Sequence, residues 1–415
     1  MQKLNSKNVS GLFFLFASFL YLVFICLTHR NLFLTKYDTA GTKKLYEQSQ
    51  WQQSQNISPD KVLDEWAIGK KYTGWKNFID ENKSKTDTEK IKKEILTAVQ
   101  KKGISDSTLY SYAGYMYVKG ENPSLLNPEH PPLGKYIIGI STVLFGNPYI
   151  GLLVICILTL SIVYKITHLI TRSFFSSSLA VFLTSLFPLF YDQLINGPQL
   201  ELFQLFFTLL FFYFLLTWEK NRKTRTFFIS GVWYGCALSM KTFLPFFLLF
   251  SVVLFAFFYF SSQRKIRTSL IHFSSMTGVG LIVFALTYFS FFVQGGTVRS
   301  FLGLQKYIIV YYQNSHIPLI EFAGNYIRLI ATGSWKFWDT GRTVSFYSEW
   351  NILWPLIFIV GTYAIIKNKN ILLAIFIFIY NVFLFFTPIF PRYLLLLFVP
   401  YIISICQFEN KLWKT

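Results

Sequence analysis

The chain has 415 residues, of which 53% are hydrophobic and only 14% charged, and it carries a net charge of +19. Soluble domains carry nearer a quarter charged residues, and the apolar runs at 202–218 and 242–260 have the length of membrane spans. A soluble enzyme, a nucleic-acid-binding domain and a disordered tail are thereby excluded. The composition is that of an all-α, polytopic membrane protein.

The N-terminal region has Lys3 and Lys7 before an apolar run at about 11–27. That run is long for a secretory signal and no small-residue cleavage site follows it, so 1–31 is expected to be a retained first transmembrane helix. A polar segment, 32–134, comes next. Thirteen of the 20 acids lie between Asp38 and Glu129. Thr86-Asp-Thr-Glu89 reads as a capping box, with Ile91, Ile95, Leu96 and Val99 as one apolar stripe and Gly103 as a stop. The apolar run 135–146 is too short to cross perpendicularly and reads as an interfacial or re-entrant helix. The first outer loop therefore runs over 32–148.

Beyond it, spans are predicted at about 149–167, 174–192, 199–217, 226–240, 243–261 and 269–292, giving a block of helices over 149–292. A second outer loop, 293–350, mixes Tyr, Trp, Lys and Arg. Three more spans, near 351–366, 371–387 and 392–407, complete 351–415 with a cytoplasmic tail, about ten spans in all. Basic residues fall in short links between them: Lys165 and Arg172, 219–225, 263–267, Lys367 and Lys369, Lys411 and Lys414. If every basic link is cytoplasmic, both termini are cytoplasmic and 32–148 and 293–350 lie outside. The charge thus meets the lipid bilayer, and no nucleic acid is implied. Cys26, Cys156, Cys236 and Cys406 sit in apolar runs as packing residues, and His29, His168, His272 and His316 are isolated, so no metal cluster is visible.

Ionisable residues near apolar runs are functional candidates. Asp192 and Glu201 flank a turn at Gly197-Pro198, Lys241 precedes Pro245, Arg392 follows Pro388 and Pro391, and Glu129, His130 and Lys135 close the first outer loop. In the predicted topology all fall on the outer side. Turns between spans tolerate charge, so each alone is ordinary. Acids and bases together suit a substrate that is half lipid with an anionic head.

The stretch from Asp106 to Lys135 carries most information. Asp106 lies fourteen residues before Gly120 and twenty-four before His130-Pro-Pro-Leu-Gly-Lys135. It resembles the first outer loop of the protein O-mannosyltransferases and related phospholipid-carrier-dependent glycosyltransferases of the GT-C class, where an acidic pair opens the loop and His-Pro-Pro-Leu-x-Lys closes it. Here Asp106-Ser107 replaces the family's Asp-Glu; Asp64-Glu65 supplies such a pair without the surrounding motif. Leu200-Glu201, the Gly235-to-Lys241 run and Pro391-Arg392-Tyr393 resemble further family positions.

The resemblance implies an integral membrane glycosyltransferase. It would move a sugar, mannose in the named family, from a polyprenyl-phosphate donor to a hydroxyl on a protein, lipid or glycan acceptor. Asp106 is the expected general base, with Glu201 positioning the acceptor or sharing that role. Glu129, His130, Lys135, Asp192, Lys241 and Arg392 are the expected substrate-binding residues, the cations facing phosphate. His130-Pro-Pro also reads as a rigid turn. No cofactor is certain; some relatives use a divalent ion, and Mg or Mn between Asp106 and Glu201 is open. Two other readings are a flippase for polyprenyl-linked lipids, which predicts charges at the bilayer midplane, and an inactive scaffold paralogue, which Ser107 keeps open.

Overall fold

The computed structural model of the chain describes residues 6–48, 104–313, 319–337, 343–368 and 370–412. The capping-box helix expected over 86–103, Asp64-Glu65, His316 and several terminal or link lysines lie outside the described residues. The described chain is helical apart from one antiparallel ribbon, Ser334–Lys336 against Val344–Phe346.

Among the described residues, six helices are long and apolar enough to cross a membrane: Lys7–Thr28, Pro148–Thr171, Leu200–Asn221, Phe243–Ser261, Ile266–Leu286 and Pro391–Leu412. A seventh is formed if Phe174–Leu186 and Pro188–Ile195, bent by 55°, count as one span. The bend follows from sequence: Pro188 forces the preceding Phe187 into extended backbone (ψ 123°), which ends the first helix, and then starts the second at N1. Leu133–Phe145, Leu353–Lys367 and Ile371–Phe385 are shorter apolar helices. Fifteen residues give about 22 Å of helix against a hydrocarbon core of about 30 Å. The last two and Thr224–Leu238 would therefore need flanking turns or a locally thinned bilayer to cross.

The chain divides into two compact units. The first comprises 1–35, 149–284 and 317–415. Leu200–Asn221 is its central helix, with Phe203, Phe211, Phe212 and Leu215 wholly buried. Thr224–Leu238 packs on it, Ser6–Thr28 on Phe174–Leu186, and Leu353–Lys367 on Leu395–Leu412. Phe13, Phe16, Phe19 and Phe24 of the first helix stay exposed, a lipid-facing surface. Thr224–Leu238 and Ile266–Leu286 meet through Gly235 and Gly280: a Cβ on Gly235 would stand 2.5 Å from the Gly280 carbonyl oxygen. Small residues let backbones approach where lipid offers no hydrophobic drive.

The second unit comprises 36–148 and 285–316. Its described core is aromatic: Tyr46, Leu109, Tyr112, Ala113, Tyr117 and Leu126 are buried together. Asp106–Val118 lies against Leu133–Phe145 along a glycine contact, where a Cβ on Gly139 would come within 2.0 Å of the Gly114 carbonyl oxygen. From the later segment, Gln294 Nε2 donates to the Gly120 carbonyl at 2.6 Å.

Candidate functional site

In the second unit, Asp106 occupies the first turn of its helix, half-buried, where an acid is favoured by the unpaired N–H groups of the terminus. Ser105 caps that turn by accepting from the Thr108 N–H. Tyr110, one turn on, meets the His130 ring edge-on at 5.7 Å between centroids. The Asp106 helix thereby lies beside the Glu129-His-Pro-Pro loop. Pro131 and Pro132 are buried, and Pro132 immediately precedes the Leu133–Phe145 helix.

Lys135 does not face open solvent: it is fully buried. Its Nζ donates to the Asn127 carbonyl (2.6 Å), Asn127 Oδ1 (3.2 Å) and the His130 carbonyl (2.8 Å). An ammonium has three donors and each finds an oxygen, so Lys135 fixes the course of loop 127–130. Asn127 takes the left-handed conformation (φ 48°), tolerated best by Gly and Asn, and its Nδ2 donates to Glu129 Oε2 at 2.6 Å. Glu129 Oε1 is buried without a hydrogen-bond partner. Burial lifts the Glu129 carboxyl well above the usual carboxylate range, while its own backbone N–H, Lys135 and the Asn127 amide pull it back.

The first unit holds the second group. Glu201 is buried in the first turn of Leu200–Asn221. Its Oε1 takes Lys241 Nζ at 2.5 Å and Arg392 Nε at 2.8 Å. Lys241 also stands 3.6 Å from the centroid of the Tyr393 ring, a cation–π contact strengthened by burial. The Arg392 guanidinium lies 4.9 Å from the Phe390 ring. The turn Pro391–Leu394 that carries Arg392 is held by Tyr380, whose hydroxyl donates to the Tyr393 carbonyl at 2.9 Å, and it packs on Pro188–Ile195. On that short helix Asp192 accepts from Asn196 at 2.5 Å and lies within electrostatic reach of Arg392 and Glu349. Burial and the Asp192 charge raise the Tyr347 phenol well beyond its ordinary range.

Three residues far apart in sequence, Glu201, Lys241 and Arg392, thus share one oxygen, with Asp192 nearby. Glu129, His130 and Lys135 share one loop. Sequence reasoning passed over Asn127, Tyr347 and Glu349. Asn127 stands in the motif, but nothing in its spacing marks it as the link between Lys135 and Glu129. Among the described residues no three of His, Cys, Asp and Glu converge as a metal site, and the four cysteines are free.

Residues 129–289 match the model of the dolichyl-phosphate-mannose-protein mannosyltransferase family. No curated protein matches the chain. The matched stretch is less than half of the chain; it opens at Glu129 and takes in His130, Lys135, Asp192, Glu201 and Lys241, while Asp106 and Arg392 lie outside it. Together with the apolar helices, the match makes the chain similar, over that stretch, to a family of multi-pass membrane mannosyltransferases.

Proposed function

We propose that the chain transfers a sugar from a polyprenyl-phosphate carrier to a hydroxyl acceptor on the outer face of the membrane, with inversion at the anomeric carbon. The observation that supports this most is the pairing of Lys241 and Arg392 on Glu201, a buried cluster with one net positive charge and family positions within it. Such a cluster suits a phosphate that gains charge as the sugar leaves. In the reaction, the acceptor oxygen bonds to the anomeric carbon and the bond from that carbon to the phosphate oxygen breaks. The acceptor proton passes to the Asp106 carboxylate, and the polyprenyl phosphate departs with the electron pair. Asp106 is assigned as base because it is a half-buried carboxylate at the start of the motif helix.

Glu201 holds the two cations at a fixed separation, and Asp192 is assigned to the sugar hydroxyls beside Arg392. His130 is assigned to the substrate, with Lys135 and Glu129 shaping its loop. Lys241 and Arg392 already place two positive charges on Glu201 Oε1, which disfavours a further divalent cation at that carboxylate by like-charge repulsion. The acceptor, whether protein, lipid or glycan, is to be found by assay.

Membranes carrying wild type or Asp106→Asn are compared for transfer of labelled sugar from a panel of polyprenyl-phosphate sugars. Wild type is expected to turn over, with the variant slower by about 100-fold or more at equal expression. Equal turnover would move the base to another carboxylate, with Glu201 tested next. Absence of transfer from every donor would favour the transporter reading.

A further inference from the structure

At the other end of the Leu200–Asn221 helix from Glu201 lies a cavity of about 310 Å³ with no place in the transfer chemistry. Twenty-two residues separate the two ends along about 33 Å of helix, so the cavity belongs to the opposite membrane face. Trp218, Phe227 and Phe228 form aromatic walls, and Arg222, Thr224, His272 and Ser275 add polar groups.

Three features point to an anionic, amphipathic ligand. The Arg222 guanidinium lies 4.7 Å from the Trp218 ring, and its Nη2 donates to the Ser261 carbonyl at 3.3 Å. That bond ties link 219–225 to the end of the neighbouring helix, and the two links 219–225 and 263–267 together carry seven cations against the single acid Glu219. The His272 ring packs 5.2 Å from Trp218, and its Nδ1 is buried with no hydrogen-bond partner. Beyond the cavity an apolar stripe continues: Phe228, 49% exposed, is followed one turn on by Val232, 39% exposed, with Leu270 and Ile271 exposed on the neighbouring helix.

We infer that this cavity binds the phosphodiester head of an anionic phospholipid, with Arg222 against the phosphate and an acyl chain along Phe228 and Val232. Inorganic phosphate shares the head-group chemistry, but the aromatic walls and apolar stripe would give it nothing. Basic pockets between helix ends are a known setting for such lipids. The inference is independent of the transferase reading, since it concerns the opposite end of the helix and needs no turnover.

The test is native mass spectrometry of the full chain in detergent, titrated with phosphatidylglycerol or phosphatidylcholine, for wild type, Arg222→Ala and Ser275→Trp. Phosphatidylglycerol is expected to bind in preference, and Arg222→Ala to weaken it roughly fivefold, the worth of one cation at an anionic head group. Ser275→Trp should remove one bound lipid by filling the cavity. Equal binding of both lipids by wild type, or full retention by both variants, would overturn the proposal. Displacement of the lipid by millimolar inorganic phosphate would also overturn it, assigning the site to a soluble anion.

Discussion

Oε1 of Glu201 receives both Lys241 and Arg392, whose side chains are only 10% and 21% exposed. Removing the carboxylate leaves two like charges with little water, and breaking a buried pair in this way costs about 3–5 kcal/mol. Glu201→Gln is therefore expected to lower the thermal midpoint in detergent and abolish transfer together. Adding Lys241→Met removes one of the stranded charges. The double variant should recover much of the stability and none of the activity, a non-additivity that thermal unfolding and transfer assays read separately. A double variant as unstable as the single one would mean that Glu201 contributes to stability chiefly through something other than this pair. The sequence marked these residues because ionisable groups are conspicuous beside apolar runs. It did not reveal that Lys135 is wholly enclosed, because enclosure depends on the Asn127 and His130 carbonyls turning inward, which no spacing records.

Among elements, the Asp106 helix packs on the Leu133–Phe145 helix at a close backbone approach made possible by Gly114 and Gly139. A Cβ on Gly139 would stand 2.0 Å from a backbone oxygen that has no flexible side chain to yield, whereas one on Gly278, in Ile266–Leu286, meets nothing within 4 Å. Gly139→Ala is thus expected to destabilise by about 2–3 kcal/mol, in the range of overpacked sites. Gly278→Ala should be neutral or stabilise by up to about 1 kcal/mol, the helix-propensity gain. Denaturation of both variants measures the contrast, and similar losses would refute the close approach. Helix positions after the first outer loop were legible because basic links interrupt apolar runs, though Thr224–Leu238, Leu353–Lys367 and Ile371–Phe385 are shorter than a perpendicular span requires. The break at Phe187-Pro188 was not, since apolar residues continue through it and hydropathy does not register a lost N–H. The ribbon at Ser334–Lys336 was also missed: three-residue strands are too short for an alternating pattern.

On the scale of the whole molecule, charge is sorted by kind. Link cations such as Lys223, Arg225, Arg264 and Lys265 are exposed, whereas Lys241 and Lys135 are buried among partners. The first kind suits retention at a cytoplasmic surface, the second a built site. Sequence could not show that 285–316 joins 36–148 in one unit, because the bond from Gln294 to Gly120 spans 174 residues. Nor does the pattern of links alone fix which face is outside; labelling does. With the four native cysteines replaced, Arg225→Cys and Ser348→Cys place single thiols on a basic link and in the predicted second outer loop. A membrane-impermeant maleimide applied to intact cells is expected to label position 348, and position 225 only after permeabilisation. The reverse pattern would put the basic links outside. Because the Leu200–Asn221 helix carries Glu201 at one end and Arg222 at its other cap, that result would place the Glu201 cluster on the cytoplasmic face and require its sugar donor to be reached from there.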